Sequence, residues 1–385
     1  MDSDLTEDQR AIRDAVADLC ARYPEQYWQR VDAEGAYPEE FVDALSEAGW
    51  LSVLIPEEYG GGGLGLREAA LVLETINRSG GTGVPAHAQM YTMGAILRHG
   101  TDEQKQRYLP GIAEGRLRLQ AFGVTEPDAG TDTTRIRTSA VRDGDHYVVN
   151  GTKIFTSRFQ HSDLMVLLVR TTPYEQVVKK TDGISVLLVD LRESAGVEAR
   201  PIRTMANHET NQVFFDDVRV PVANRLGEEG RGFRCILSGL NAERILVASE
   251  NLGDGFWFVH RCAEYASRRE VFGRPIGQNQ GIQFPIAQAY AQLEAASLVR
   301  WRAAELFDAG GQPGMQANAA KLLASQATWA AANAAMDTFG GYGMAVEYGI
   351  ERKFREARLP VVAPVSNNLV LAYLGQNVLG MPKSY

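Results

Sequence analysis

The sequence predicts a mainly α protein with one central β domain, and two changes in hydrophobic period carry that reading. Apolar residues recur at three-to-four spacing up to about residue 121, alternate with period two from 122, and return to helical spacing after Val220-Pro221. Helices, then a small sheet, then helices is not the strand–helix alternation of a parallel dinucleotide fold. No Gly-x-Gly-x-x-Gly follows a strand and opens a helix, so the usual NAD fingerprint is missing.

Each element follows from local pattern. LTEDQRAIRDAVADLCARY has helical spacing, Pro38 opens a second segment, the Gly-rich YGGGGLG at 59–65 interrupts, and helical runs resume at 67–77 and 91–99. Strand character marks HYVVNGTKIFTS, DLMVLLVRT, ISVLLVDL and NQVFFDDVRVP, with turn signals at DGD and TDG. After the loop LGEEGRGF, long helices are expected at about 235–270, 282–309, 315–338 and 365–379. The expected domains are helical 1–121, a β-barrel or sheet domain 122–230, and a helical bundle 231–385.

Composition narrows the function classes. A chain of 385 residues, 45% hydrophobic, is long enough to divide into more than one core. A net charge of −9 and a pI near 5.3 disfavour nucleic acid and anionic membrane as partners. The local counter-signal is Arg261, Arg268, Arg269 and Arg274, which could meet phosphates. Cys20, Cys235 and Cys262 are widely spaced and suggest neither a disulfide framework nor a zinc site, as suits a reducing cytoplasmic setting. The acidic N-terminus lacks an apolar export segment, and KLLASQATWAAANAAMDTFGG reads as a buried helix rather than a membrane span.

Two loops carry the chemistry. VTEPDAGTD at 124–132 and GTKIFTS at 151–157 look built to hold an isoalloxazine ring. Gly130 would permit a tight turn, Thr125 and Thr131 offer short hydroxyls and backbone N–H groups, and Phe155 with Thr156 offers a stacking face and a hydrogen bond near flavin N5. Either loop alone reads equally well as an ordinary hairpin connection.

Four motifs in order then resemble the acyl-CoA dehydrogenase family over nearly the whole chain. TEPDAGTD is similar to the family's TEPxAGSD and GTKIFTS to its GxKxWIT, with Phe155 where the flavin-stacking Trp is common. YASRREVFGRPIGQNQGIQF at 265–284 is similar to YAxxRxxFGxxIxxxQxxxF, and FGGYGMAVEYGIERKFREAR at 339–358 to FGGxGxxxExxxExxxRDA. The resemblance implies a helical N-terminal domain, a middle β domain and a C-terminal four-helix bundle. It also implies FAD, with an electron-transfer flavoprotein as acceptor and a homotetramer arranged as a dimer of dimers, or a homodimer. Cofactor contacts are implied for Phe122, Val124, Thr125, Gly130, Thr131, Phe155, Thr156 and Ser157. Arg269, Phe272 and Gln280 are implied to reach a neighbouring subunit's FAD, and Gly340, Gly341, Ser366 and Asn368 to complete the set. A guanidinium forks onto phosphate oxygens, although for Arg269 a solvated helix charge is the plainer alternative. Where the family often has Gln two residues before FGG this chain has Asp337, whose charge would repel phosphates.

The implied reaction removes an α-proton from an acyl thioester while the β-hydrogen leaves as hydride, so one carboxylate must serve as base. Most relatives carry it after RDA in IYEGT; here that register reads LPVVAPVSNN and Pro364 stands at the Glu position. Members resembling isovaleryl-CoA dehydrogenase place the Glu in a segment like SGLDLERLVLA, and SGLNAERILVAS at 238–249 puts Glu243 there, followed by Arg244 as a substrate-binding residue. The competing reading of Glu243 is a carboxylate on a helix surface. Pro364 also lacks the N–H that would hold the thioester oxygen, so Ala363 or Val365 donates instead or acidification is weaker. The expected activity is α,β-dehydrogenation of an acyl-CoA or acyl-carrier-protein thioester. The alternatives are an oxygen-using flavin oxidase or monooxygenase, an enoyl-thioester reductase, and a flavin-free scaffold.

Overall fold

The computed structural model describes residues 5–383, which form two compact units, each assembled from separated stretches of chain. In chain order come α1 (Glu7–Ala21), α2 (Glu25–Glu34), α3 (Glu39–Glu47), α4 (Leu66–Arg78), α5 (Val84–His99) and α6 (Asp102–Ala113). The strands follow: β1 (Ala121–Gly123), β2 (Ser139–Asp143), β3 (His146–Ser157), β4 (Leu164–Arg170), β5 (Ile184–Asp190), β6 (Val197–Pro201), β7 (Thr210–Pro221) and β8 (Arg225–Leu226). Helix α7 (Gly232–Arg268), the short pair β9 (Glu270–Val271) and β10 (Arg274–Pro275), then α8 (Gln280–Asp308), α9 (Gly314–Phe339), α10 (Ile350–Val362) and α11 (Asn367–Tyr373) complete the chain. No helix among the described residues is long and apolar enough to cross a membrane.

The first unit, Met1–Glu34, Gly65–Val84 and Asn241–Tyr385, is helical. Thr6 starts α1 with a capping box, its hydroxyl accepting from the Gln9 amide while the Gln9 side chain accepts from the Thr6 amide, both at 3.2 Å. Asp308 at the end of α8 caps α4, accepting from the Leu66 and Arg67 amides at 2.7 and 3.1 Å. Alanines 320, 324, 327, 331 and 335 keep α9 thin enough to pack tightly beside Leu252, Phe256 and Leu293. Buried charges are paired: Arg300 donates to Glu74, and Lys353 lies 2.5 Å from Asp254.

One helical expectation changes. A helix over 365–379 is observed as α11 at Asn367–Tyr373, followed by a wider turn at Leu374–Val378. Ser366 fixes the start by accepting from the Leu369 amide at 3.3 Å. Helix α10 escapes the apolar-period reading because two of its buried residues, Arg352 and Lys353, are charged.

The second unit, Gly35–Leu64 and Pro85–Leu240, holds the sheet with α3, α6 and most of α5. Strand order is β6-β7-β3-β2-β4-β5-β8, with β1 paired to β4 in parallel. All four runs read as strands form strands. The alternation does not hold throughout: every residue of β4 and all but the last of β5 are buried, because both faces of the sheet are covered there.

Candidate active site

In the second unit, the two candidate flavin loops are tied together from inside. The loop at 124–132 turns through reciprocal backbone bonds between Glu126 and Ala129, at 3.0 and 3.1 Å. Gly130 is therefore not what makes the turn: its φ lies outside the left-handed range, and an added Cβ would meet only Thr125 Cγ2 at 4.0 Å. The Ile154 amide donates to Thr125 O at 2.8 Å, joining this loop to β3. Beneath both, Lys153 Nζ donates to Val124 O at 3.0 Å and to Glu126 Oε1 at 2.8 Å. The Glu126 carboxylate also accepts from the Arg137 and Thr138 amides at 2.6 and 2.9 Å. Although burial pushes its proton affinity up, the Lys153 charge and these donors hold Glu126 below the usual carboxylate range. Burial brings the Lys153 ammonium down to about 8 despite Glu126.

A bulge in β3 gives the loop its chemical face. Pairing with β7 loses register between Lys153 and Thr156, and Phe155 takes a left-handed φ of 57°. Phe155 is thereby turned outward to 60% exposure, while Thr156 is fully buried. Backbone strain at a non-glycine residue persists where a site needs it. Thr156 Oγ1 is buried with no hydrogen-bond partner among the described residues, an orphaned polar group. An exposed aromatic face next to an unsatisfied hydroxyl fits the isoalloxazine ring that the motifs imply. Ser157 is instead engaged inside the protein, accepting from Asn207 Nδ2 at 2.7 Å and lying 3.2 Å from Thr210 Oγ1. Phe122, Val124 and Thr125 are half-buried beside these loops, Phe122 edge-on to Tyr91 with ring centroids 5.5 Å apart, and Gly130 and Thr131 are exposed.

The remaining predicted residues lie in the first unit. Glu243 is not on a helix surface: it is 3% exposed, flanked on α7 by buried Ala242, Ile245, Leu246 and Val247. Arg244 beside it is half-buried and bonds Asn241 Oδ1 at 3.3 Å. Two further residues join them that the sequence reading passed over. Lys321 on α9 is fully buried and lies in the electrostatic field of both Glu243 and Arg244, and Asn367 at the start of α11 accepts from Lys321 Nζ at 2.8 Å. The signal was legible, since Lys321 is the lone charge in the apolar tract AAKLLASQATWAAANAAM.

Arg269, Phe272 and Gln280 are all exposed around the β9–β10 turn, Phe272 completely so and with a left-handed φ of 52°. The Arg269 guanidinium sits 5.8 Å from the centre of the Tyr342 ring, which brings it to the Gly340–Gly341 turn. Asp337 is exposed on α9. Ser366 caps α11 and Asn368 is exposed next to it. Of the two substitute donors near Pro364, the Ala363 amide is already committed, donating to Leu359 O at 2.9 Å to close α10.

Comparisons with known proteins agree along the whole chain. Models described as acyl-CoA dehydrogenase N-terminal, middle and C-terminal domain match residues 6–116, 121–218 and 230–363. The acyl-CoA dehydrogenase FadE12 of Mycobacterium tuberculosis is 36% identical, across 99% of this chain and 98% of its own. The butyryl-CoA dehydrogenase structure from Megasphaera elsdenii superposes with a TM-score of 0.93 at 30% identity, covering 98% of this chain and all of its own. A chain from a structure described as the electron transferring flavoprotein of Acidaminococcus fermentans gives a TM-score of 0.93 at 34% identity, with 98% and 100% coverage.

Proposed function

Because this chain belongs to the acyl-CoA dehydrogenase family of oxidoreductases, we propose that it dehydrogenates an acyl thioester between its α and β carbons with Glu243 as base. Its cofactor is FAD, which when bound supplies the acceptor for the β-hydrogen as hydride. Phe155 offers the ring a stacking face, and Thr156 offers its orphaned hydroxyl. The observation that carries the reading is the burial of Glu243 in the field of two cationic side chains, half-buried Arg244 and fully buried Lys321. A carboxylate removed from water is a stronger base toward a carbon acid, and fixed cations keep it ionised until it acts. Glu243 takes the α-proton, and Arg244 lies beside it to orient the substrate.

With Pro364 lacking an N–H and the Ala363 amide committed to α10, the Val365 amide is the donor assigned to the thioester oxygen. Arg269, Phe272, Gln280 and the Gly340–Gly341 turn, exposed together, suit the pyrophosphate and adenosine of a neighbouring subunit's FAD in a homo-oligomer. Likeness to the chain described with an electron transferring flavoprotein supports that class of protein as electron acceptor. The acyl carrier is taken to be CoA. The experiment is anaerobic bleaching of the bound flavin by straight-chain, branched and aromatic acyl-CoA thioesters. Rapid bleaching by one class is expected; a flavin that no thioester bleaches would refute the activity.

A further inference from the structure

Lys321 is fully buried in the middle of α9, and burying an ammonium costs several kcal/mol unless charge and hydrogen bonds compensate it. Asn367 supplies the hydrogen bond, its Oδ1 accepting from Lys321 Nζ at 2.8 Å and from Ser325 Oγ, one turn further along α9, at 3.1 Å. An amide oxygen held by two donors fixes the ammonium in place, but it is neutral. Helix α9 lies against α7, Thr328 Oγ1 donating to Asn251 O at 2.6 Å, and the charges acting on Lys321 come from α7: Arg244, which repels it, and Glu243, which attracts it. Tyr373 of α11 acts on Arg244 in turn. Burial, then Arg244, bring the ammonium down to about 8 against the pull of Glu243. A leucine in this alanine-rich helix would pack without any of these demands, so a charge retained here points to a task for the charge.

We propose that Lys321 is a positioning residue for the base: clamped by Asn367, it holds a fixed positive charge that acts on Glu243 and keeps that carboxylate ionised in its buried site. The inference rests on Glu243 being the base. Attraction between opposite charges is mutual, so what keeps the proton on Lys321 keeps it off Glu243. Withdrawing the charge makes Glu243 harder to ionise, and the acid limb of the reaction moves to higher pH.

The test measures anaerobic flavin bleaching against pH with FAD-loaded protein and whichever acyl-CoA bleaches it fastest, with FAD content and melting temperature recorded for each variant. Lys321→Gln is expected to shift the acid limb up by about one pH unit, a size typical of one nearby charge. Lys321→Arg keeps the charge and should keep the wild-type limb. A Lys321→Gln protein that folds, holds FAD and retains the wild-type limb overturns the proposal, as does Lys321→Arg shifting as far as Lys321→Gln. If Lys321→Gln fails to fold, Asn367→Ala decides: it frees the ammonium without removing it, so a smaller upward shift supports the proposal and an unmoved limb overturns it. Glu243→Gln separates the two levels. Bleaching abolished in Glu243→Gln with an unmoved limb in Lys321→Gln overturns the role of Lys321 alone, whereas bleaching retained in Glu243→Gln overturns both.

Discussion

Lys153 Nζ donates to Glu126 Oε1 at 2.8 Å with both side chains out of solvent, so a charge pair fastens the loop at 124–132 to the strand that carries Phe155 and Thr156. Under the proposed reading, flavin binding by this unit thus depends on a buried charge pair that ties the two loops together.

Breaking the pair from one side leaves a buried charge. Glu126→Gln strips Lys153 of the carboxylate that pairs with it among the described residues and is expected to destabilise the protein by about 3–5 kcal/mol in denaturant unfolding. Lys153→Met should cost less, because Glu126 keeps the Arg137 and Thr138 amides. Glu126 is held below its unfolded value, so its contribution is complete above about pH 4.3 and falls away as pH drops through the depressed folded value. Lys153, also lowered, acts in the same direction in a higher window: from about 8 up to about 10.4 the unfolded chain binds the extra proton, and stability rises with pH. Melting curves against pH should show a steeper acid loss in wild type than in Glu126→Gln.

Glu243→Gln keeps the shape of the side chain and removes the proposed base. Bleaching by acyl-CoA should fall by at least about 10²–10⁴-fold, the usual worth of a positioned general base, while FAD stays bound. Rapid-mixing absorbance at the flavin bands measures both. A variant that bleaches at most of the wild-type rate would return Glu243 to the status of a structural carboxylate.

The sequence was most informative where pattern and chemistry coincide. Helix and strand order followed from the change of hydrophobic period, and Glu243 was singled out as a candidate base from its place in SGLNAERILVAS. What lay hidden is what three-dimensional pairing alone reveals. Lys153 and Glu126 were visible as letters inside both motifs, but their partnership links residues 27 apart in the chain. Lys321 and Asn367, 46 apart, meet only because α9 and α11 pack. The outward turn of Phe155 depends on a bulge in the pairing of β3 with β7, which no period-two count can show. Helix α10 was obscured because its buried face carries Arg352 and Lys353.

Thr156→Val tests the cofactor site with two responses of opposite sign. The hydroxyl is buried without a partner among the described residues, so replacing it with a methyl group should stabilise the apoprotein by about 1–3 kcal/mol, the penalty of an unsatisfied polar group. The same change removes the donor proposed to serve the flavin, and on that reading FAD affinity should fall by about tenfold. Differential scanning of apoprotein and titration with FAD read the two effects separately. If apoprotein stability falls instead, the hydroxyl has a partner in the protein and the flavin argument loses its support.

Pro364→Ala addresses the thioester oxygen. The proline offers no N–H, and the Ala363 amide is spent on Leu359 O at 2.9 Å. With Val365 N–H as donor, restoring an amide at 364 adds a second hydrogen bond at a position where the first already serves, and kcat should stay within about threefold of wild type. If no amide were serving, the new one would supply what a missing oxyanion donor costs, a gain on the order of 100-fold or more in kcat. Turnover with the preferred acyl-CoA and an artificial electron acceptor distinguishes these outcomes. A large gain would show that this chain works with a weakened oxyanion site and leans on Glu243 and its flanking cations for proton removal.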